Sequence, residues 1–395
     1  MNNTPSSERL HIGIFGKRNA GKSSLINAIT GQNLAIVSDV KGTTTDPVLK
    51  TMELLPLGPV VLIDTPGLDD EGELGALRIK KAYQMLNKTD VALVIIDATI
   101  GFDMADAKII EEIEKKKIPY IMVYSKADLQ ERRNVGNRTD CVWVSATTGE
   151  NIEELKRMLA NAVPKEVASK RIVGDLIKPL EFVVLVVPID SSAPKGRLIL
   201  PQQQTIRDIL EAGATSIVVK DTELAGMLDE LQVKPSLVIT DSQVFGKVAK
   251  IVPNDIPLTS FSVLMARYKG NLETVVQGAY ALDDLQDRDI ILISEGCTHH
   301  RQCEDIGAVK LPKWIREYTG KELQFEFASG AEFPNDLSKY KIIVHCGGCM
   351  LNEREMKYRL KCAEDAQIPM TNYGTAIAHM KGILERSVEM FGETL

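Results

Sequence analysis

Short apolar runs alternate with amphipathic segments through the first 160 or so residues of the chain. The runs are rich in β-branched residues and short enough to be buried strands. Such an alternation of strand and helix predicts an α/β domain with a largely parallel sheet. The predicted strands cover residues 11–15, 60–63, 91–97, 120–124 and 141–144.

A stretch bounded by prolines interrupts this pattern. Residues 152–163 predict a helix, and Pro164, the mixed-charge stretch 165–178 and Pro179 then predict a linker. A second set of elements follows it, with strands predicted at residues 182–188, 216–220 and 237–240 and helices at 205–212 and 222–231.

A third set of elements begins near Ser260. Its predicted elements are a long helix over residues 262–282, strands at 289–294, 322–328 and 340–344, and a helix over 352–366. The expected fold class is therefore α/β, with a mostly parallel sheet in the first domain and two smaller α/β domains after it. We expect the three domains to cover residues 1–168, 171–264 and 265–395.

Composition narrows the functional classes. The chain has 395 residues, of which 44% are hydrophobic and 26% charged, as in an ordinary globular protein. A net charge of -7 argues against a general binder of nucleic acid or anionic membrane. No apolar run approaches the roughly 18 residues of a membrane span, and the polar N-terminus lacks the pattern of a secretory signal. We therefore expect a cytoplasmic protein.

A phosphate-binding motif follows the first predicted strand. It reads Gly16-Lys17-Arg18-Asn19-Ala20-Gly21-Lys22-Ser23 and precedes a helix predicted over residues 24–30. The glycines let backbone N–H groups face phosphates at a helix N-terminus, Lys22 adds a positive charge, and Ser23 offers a hydroxyl to Mg²⁺. The sequence therefore predicts a nucleotide site here.

Two further segments complete the phosphate side of this site. Asp64 ends the second predicted strand, where its carboxylate is expected to hold Mg²⁺ through water, and Gly67 is expected to offer its N–H to the γ-phosphate. Between the two motifs, the threonine-rich turn 42–46 supplies Thr43 and Thr44 to a switch that orders around Mg²⁺ and the γ-phosphate.

The base is expected to be guanine. Ser125-Lys126-Ala127-Asp128 follows a predicted strand at the place where GTPases carry an Asn-Lys-x-Asp motif, and Ser145-Ala146 follows the next strand. Asp128 would accept two hydrogen bonds that adenine cannot donate. The predicted nucleotide-binding residues are Gly16, Asn19, Ala20, Gly21, Lys22, Ser23, Ser24, Asp64, Gly67, Ser125, Lys126, Asp128, Ser145 and Ala146, and those assigned to hydrolysis are Lys22, Ser23, Thr43, Thr44, Asp64 and Gly67.

On these motifs the first 165 residues resemble the translation-factor-related GTPases, especially those of tRNA modification and ribosome assembly. The chain departs from them at Ser125, which replaces an asparagine. Asn19 matches the asparagine that helps hold K⁺ in potassium-dependent members, or it simply stabilises the loop. Leu68 stands where Ras-like proteins have a water-orienting glutamine, so we expect slow hydrolysis, with Glu71 or Glu73 as candidates to orient water.

Cysteines and histidines cluster at two predicted strand ends in the last quarter of the chain. One cluster contains Cys297, His299, His300, Cys303 and Glu304, and the other is His345-Cys346-Gly347-Gly348-Cys349. Carboxyl ends of parallel strands meet at one crevice, so the two clusters predict a metal site. Three thiolates with a nitrogen or oxygen ligand suit either zinc or an iron–sulfur cluster.

A P-loop GTPase domain joined to these two clusters resembles the HydF family of FeFe-hydrogenase maturation GTPases over the whole chain. The resemblance implies a GTP-binding domain, a dimerisation domain and a cluster-binding domain. It implies a 4Fe-4S cluster on Cys297, Cys346 and Cys349, with a weaker fourth ligand for which His299, His345, His300 and Glu304 are candidates and Cys303 a competitor.

The same resemblance implies a homodimeric scaffold that carries the 2Fe precursor to apo FeFe-hydrogenase and meets radical-SAM maturases, with no nucleic acid or membrane partner. GTP, Mg²⁺ and the 4Fe-4S cluster are the expected cofactors, with K⁺ if Asn19 binds it. Two other interpretations stay open: a zinc-containing GTPase of RNA modification or ribosome assembly, and an enzyme whose cluster does redox or radical chemistry. The latter is disfavoured because no Cys-x3-Cys-x2-Cys motif occurs.

Overall fold

A computed structural model describes residues 5–31, 47–69, 72–130, 140–163, 170–189, 198–270, 272–296, 305–330, 333–334 and 336–392. The chain forms two compact units, Met1–Val167 and Ala168–Leu395. No helix in the described ranges is long and apolar enough to cross a membrane.

The first unit is built on a six-stranded sheet in the order β2-β3-β1-β4-β5-β6. Every neighbouring pair is parallel except β2 and β3, which are antiparallel. The strands are β1 (Leu10–Gly16), β2 (Val48–Leu54), β3 (Gly58–Asp64), β4 (Val91–Asp97), β5 (Tyr120–Ser125) and β6 (Cys141–Trp143), and the helices are α1 (Lys22–Thr30), α2 (Gly72–Met85), α3 (Met104–Lys115) and α4 (Ile152–Ala162).

Helices cover both faces of this sheet. Alternate residues of each central strand enter two apolar clusters, one packed against α1 and α4 and the other against α2 and α3. All seven residues of β4 are buried, which explains why it reads as a continuous apolar run. The predicted α/β class with a mostly parallel sheet is confirmed. The sequence missed β2, an edge strand that leaves Val48 and Leu49 exposed and so lacks a clear alternation.

The second unit contains two four-stranded parallel sheets, in the orders β10-β9-β7-β8 and β12-β11-β13-β14. Its strands are β7 (Phe182–Val186), β8 (Thr215–Val219), β9 (Leu237–Thr240), β10 (Leu258–Ser260), β11 (Ile290–Glu295), β12 (Gln324–Ser329), β13 (Ile342–His345) and β14 (Met370–Asn372). Its helices are α5 (Leu200–Glu211), α6 (Leu224–Glu230), α7 (Phe245–Ile251), α8 (Phe261–Lys269), α9 (Leu272–Tyr280), α10 (Leu311–Thr319), α11 (Glu353–Asp365), α12 (Tyr373–Met380) and α13 (Leu384–Val388).

The prediction of one long helix over residues 262–282 is wrong. The structure has two helices here, α8 and α9, and α8 ends at Lys269, directly before Gly270, whose backbone is extended. Glycine is a poor helix former, so a helix readily ends there. The apolar pattern runs through both helices and hides this break.

The predicted linker is wrong over its second half. Ile172, Val173 and Ile177 are buried in a core cluster of the second unit. The Asp208 carboxylate accepts the backbone N–H groups of residues 172–174 at 2.7 to 3.0 Å. Because a distant side chain satisfies this backbone, the segment shows neither a helical nor a strand period.

Candidate functional site

The P-loop joins the end of β1 to the start of α1. Gly16 and Gly21 have φ angles of +151° and +91°, which favour glycine. A Cβ at Gly16 would lie 2.4 Å from the Ile95 carbonyl oxygen of the neighbouring strand. Asn19 is exposed and also has a positive φ, +58°. The loop therefore turns sharply and leads into the N-terminus of α1, which is the arrangement that binds phosphate groups.

The side chain of Lys22 is buried against the inside of this loop. Its Nζ donates to the carbonyl oxygens of Gly16 at 2.9 Å and Lys17 at 2.7 Å. These bonds hold the ammonium at the place where the predicted β- and γ-phosphates bind. Ala20 is buried beside it, and Ser24 is half-buried in the first turn of α1.

Asp64 and Ser23, the predicted magnesium ligands, lie next to each other. The Ser23 hydroxyl lies 3.5 Å from Asp64 Oδ2, and Asp64 Oδ1 is buried without a hydrogen-bond partner among the described residues. Burial raises the pKa of Asp64, and the nearby Lys22 opposes that rise. An unpartnered carboxylate oxygen beside a hydroxyl fits Mg²⁺, which prefers oxygen ligands. When bound, Mg²⁺ would neutralise charge that develops on the phosphates.

Gly67 lies against the P-loop. A Cβ on Gly67 would come within 2.9 Å of the Arg18 nitrogen and 3.0 Å of Asp69 Oδ1. The Asp69 carboxylate accepts the Arg18 N–H at 2.6 Å, and the Leu68 N–H donates to the Gly16 carbonyl at 3.3 Å. The segment after Asp64 therefore contacts the phosphate loop directly, and glycine is required at position 67.

Ser125 bridges the predicted base-binding loop and the P-loop. It is buried, and its hydroxyl lies 2.6 Å from the Ala20 carbonyl oxygen and 3.1 Å from that of Ile96. Lys126 has a φ of +57°, and its Nζ donates to Asp97 Oδ2 at 2.6 Å. Burial raises the pKa of Asp97, but hydrogen bonds from Lys126 and Thr99 outweigh it and hold that pKa below its ordinary value.

The other base-site residues lie at the same sheet edge, after β5 and β6. Asp128 is exposed in the turn after Lys126. Ser145 is fully buried, and its hydroxyl accepts the Thr148 N–H at 3.1 Å, which fixes the turn that carries Ala146. The structure thus brings the predicted nucleotide-binding residues to one edge of one sheet.

Sequence reasoning missed one ion pair beneath the P-loop. Lys17 Nζ donates to Asp103 Oδ2 at 2.6 Å, and this bond is the largest of the effects that lower the pKa of Asp103. Asp103 also caps α3 by accepting the N–H groups of Ala105 and Asp106. The Asp-x-x-Asp spacing of a capping box was the available signal.

The Cys346–Cys349 loop follows β13 in the second unit. Cys346 Sγ accepts the Gly296 N–H at 3.0 Å and the Gly348 N–H at 3.4 Å. Backbone N–H groups directed at sulfur favour a thiolate, the form that binds metal. Burial raises the pKa of Cys349, as does Cys346, whereas Lys269 lowers it. The two thiols thus lie at the carboxyl edge of the parallel sheet, as predicted.

His345 is fully buried, and both of its ring nitrogens are engaged. Its Nδ1 lies 2.6 Å from the Cys346 carbonyl oxygen, and its Nε2 lies 3.0 Å from Arg359 Nη1. A carbonyl only accepts and a guanidinium only donates, so in this arrangement Nδ1 donates to the carbonyl and Nε2 accepts from Arg359. Coordination of a metal by His345 would require one of these bonds to break.

The remaining predicted ligands lie outside the described residues. These are Cys297, His299, His300, Cys303 and Glu304, and Thr43, Thr44 and Glu71 of the switch segments likewise fall outside them. Within the part of the chain that the structure describes, no group of three or more His, Cys, Asp or Glu side chains is arranged to hold a metal ion.

Sequence reasoning also missed the buried polar groups around the cysteine loop. Arg359 donates to Glu355 Oε1 at 3.0 and 3.1 Å and to the Gly330 carbonyl at 2.7 Å. Tyr373 donates to Glu295 at 3.2 Å, and burial, Glu295 and Cys346 together raise the pKa of Tyr373 far above its usual value. The Glu355–Arg359 spacing of four on one helix was a readable signal. No sequence pattern indicates that Tyr373 is one of these buried polar groups.

The fold and nucleotide site of the first unit define a P-loop GTPase domain. Residues 11–126 match the family model described as the 50S ribosome-binding GTPase. Residues 172–270 match the hydrogen maturase F dimerization domain, and residues 273–390 match the hydrogen maturase F tetramerization domain. The chain therefore belongs to the hydrogen maturase F family, which confirms the expected resemblance.

Two curated relatives match part of the chain. GTPase Der of Kosmotoga olearia is 32% identical over 166 residues, which cover 38% of this chain and 37% of that protein. The tRNA modification GTPase MnmE of Legionella pneumophila is 36% identical over 160 residues, which cover 40% and 35%. The chain thus spans about a third of the length of these relatives.

Two solved structures are similar to part of the chain. Era of Aquifex aeolicus is 22% identical with a TM-score of 0.37, covering 53% of this chain and 92% of that one. The G domain of T. maritima FeoB is 23% identical with a TM-score of 0.31, covering 39% and 98%.

Proposed function

We propose that this chain is a GTP-hydrolysing scaffold or carrier that assembles the 2Fe subcluster precursor and delivers it to apo FeFe-hydrogenase. The observation that carries the proposal is the combination of two features in one chain. The first unit is a GTPase domain, and the second unit, which matches two hydrogen maturase F domains, presents Cys346 and Cys349 at a sheet edge.

The metal centre of the proposal is a 4Fe-4S cluster on Cys297, Cys346 and Cys349. Two observations support it. The Gly296 N–H donates to Cys346 Sγ, and Cys297 is the next residue in the sequence after Gly296. Gly348 has a φ of +62°, which favours glycine, and a Cβ there would lie 2.6 Å from Met356 Sδ, so glycine suits this tight turn between the two cysteines. When bound, the cluster supplies an iron atom whose fourth ligand exchanges for cargo.

The fourth ligand is proposed to come from Glu304, His299 or His300, or from His345 after it leaves Arg359. Cys303 is the competing strong ligand. Among these, His345 alone falls in the described part of the chain, and both of its ring nitrogens are already engaged there, so it would have to give up one of these contacts to bind iron.

The GTP cycle is proposed to regulate contacts with the radical-SAM maturases and the hydrogenase. Both hydrogen maturase F models are named for self-association, which supports a homodimer formed through residues 171–264.

The exposed position of Asn19 in the P-loop is compatible with a K⁺ ligand beside the phosphates. If Asn19 binds K⁺, hydrolysis is faster in K⁺ than in Na⁺, and Asn19→Ala removes that difference. Equal rates of the wild type in both salts would contradict this role.

The test is the activation of apo-hydrogenase. Chain purified from cells that also produce the radical-SAM maturases is mixed with apo FeFe-hydrogenase, and hydrogen evolution is measured. We expect activation by the wild type, none by Cys346→Ser, and wild-type activation by Cys362→Ser, a cysteine outside the proposed ligand set. Activation that survives Cys346→Ser would contradict the proposal.

A zinc-containing GTPase of RNA modification or ribosome assembly is the second candidate. The description of the model that matches residues 11–126, a 50S ribosome-binding GTPase, favours it. Metal analysis after anaerobic purification separates the two candidates: zinc without iron and sulfide would support this one.

A further inference from the structure

Lys269 is the last residue of α8, and it is 3% exposed. Lysine is seldom buried because its ammonium is strongly hydrated, so a lysine held inside a protein needs polar partners there. The Nζ of Lys269 donates to three carbonyl oxygens of the loop after β13. The distances are 3.3 Å to Gly348, 3.2 Å to Cys349 and 3.0 Å to Leu351.

Three carbonyls match the three donors of one ammonium group. Gly348 has a φ of +62°, and its carbonyl also accepts the Leu351 N–H at 3.0 Å. The loop therefore folds back on itself and directs its carbonyl groups at Lys269. This is a built cation-binding turn, and it includes the backbone of Cys349.

The lysine and the loop belong to different family domains. Lys269 lies at the end of the dimerization-domain match, residues 172–270, whereas the loop lies within the tetramerization-domain match, residues 273–390. Both are part of the same compact unit. A single side chain thus ties α8 to the turn that carries the two cysteines.

We propose that Lys269 is a positioning residue of the metal centre, which fixes the Cys346–Cys349 turn and places a positive charge beside a thiolate-bound cluster. The inference rests on the proposed iron–sulfur cluster. An iron–sulfur centre on thiolates gains one negative charge when it is reduced, and a buried cation nearby stabilises the reduced form. Removal of the charge should therefore make the midpoint potential more negative.

The experiment uses the full chain reconstituted anaerobically with iron and sulfide. Lys269→Met keeps the length of the side chain but removes its charge and donors, and Lys269→Arg restores both in part. Lys361→Met is the matched control, since Lys361 lies on α11 with a side chain 65% exposed. Iron per chain, the midpoint potential from an EPR-monitored redox titration, and the thermal midpoint of the apo-protein are measured for each.

We expect Lys269→Met to bind less iron, or to bind it at a more negative midpoint potential, with an apo-protein that still folds but melts at a lower temperature because three buried carbonyls lose their donor. Lys269→Arg should return toward the wild type, and Lys361→Met should equal it. Wild-type iron and potential in Lys269→Met would overturn the inference. A loss of iron in both Lys269 variants, each with a lowered thermal midpoint, would also overturn the inference. Lys269 would then act in folding and not in positioning the metal centre. A wild type that binds no iron would instead refute the proposed function.

Discussion

His11 is a residue whose burial has a consequence for stability. It lies in β1 of the GTPase domain, its Nδ1 lies 2.8 Å from the Arg9 carbonyl, and burial lowers its pKa to about 4. An unfolded histidine titrates near pH 6.5, so the unfolded chain takes up a proton first as the pH falls. The contribution of His11 to stability is therefore complete above about pH 6.5 and is lost progressively toward pH 4.

The expected loss is about 3 kcal/mol of unfolding free energy for the first unit between pH 7 and pH 4. His11→Asn keeps a donor for the Arg9 carbonyl but does not titrate in this range. Urea unfolding followed at several pH values should show a smaller loss of stability for His11→Asn than for the wild type. Parallel curves for the two proteins would show that His11 does not cause the acid sensitivity.

The buried hydroxyl of Ser125 leads to a prediction about the affinity for nucleotide. Its hydroxyl holds the base-binding loop against the Ala20 carbonyl of the P-loop, the two atoms being 2.6 Å apart. Ser125→Ala should lose one buried hydrogen bond, worth about 1 kcal/mol, and so bind GTP and GDP roughly 5-fold more weakly.

Asp128→Asn should instead reduce the preference for GTP over ATP, because one of the two carboxylate oxygens that accept from guanine is replaced by a donor. Fluorescent-nucleotide titrations measure both effects.

Ser338→Ala, an exposed serine of the second unit, is the control for the Ser125 variant. An unchanged GTP affinity in Ser125→Ala would mean that the bridge to the P-loop contributes nothing to the site. An unchanged preference in Asp128→Asn would mean that the base lies elsewhere.

At the scale of elements, the turn between the two cysteines offers a matched pair of glycines. Gly348 has a φ of +62°, and a Cβ there would lie 2.6 Å from Met356 Sδ, whereas a Cβ at Gly347 would meet nothing within 4 Å. Gly348→Ala should strain the turn and lower the iron bound after anaerobic reconstitution, and Gly347→Ala should bind as much as the wild type. Equal iron in the two variants would contradict the requirement for this turn.

The sequence predicted well those elements whose burial gives a simple pattern of apolar residues along the chain. β4 reads as an unbroken apolar run because helices cover both faces of its sheet, and the P-loop is readable because phosphate binding needs a fixed spacing of glycines. The edge strand β2 was missed because it is half exposed. The boundary between α8 and α9 was missed because a single glycine ends a helix without interrupting the apolar stripe.

The candidate sites were predictable only as far as local sequence determines them. The cysteines could be placed at strand ends from the βα order alone. The groups around them come from other elements: Lys269, on α8, lies 80 positions from Cys349, and Arg359 contacts His345 from α11. Such contacts depend on how α8 and α11 pack on the sheet, which no local pattern encodes.

At the scale of the whole molecule, the two functions should be separable by mutation. Lys22 and Cys346 lie in different compact units. Lys22→Ala removes the ammonium from the phosphate loop and should abolish GTP hydrolysis while iron content and the EPR spectrum stay those of the wild type. Cys346→Ser should do the reverse, losing iron while binding GTP normally. A variant that loses both properties with a lowered thermal midpoint would indicate a folding defect and contradict this separation.

The most direct test of the central claim is the metal content of the chain after anaerobic reconstitution with iron and sulfide. We expect a brown protein with about four iron and four sulfide per chain and an EPR signal on reduction, all lost in Cys346→Ser and retained in Lys22→Ala. Zinc at about one per chain, with no iron and no EPR signal, would contradict the proposed iron–sulfur cluster. The chain would then be a GTPase of another kind.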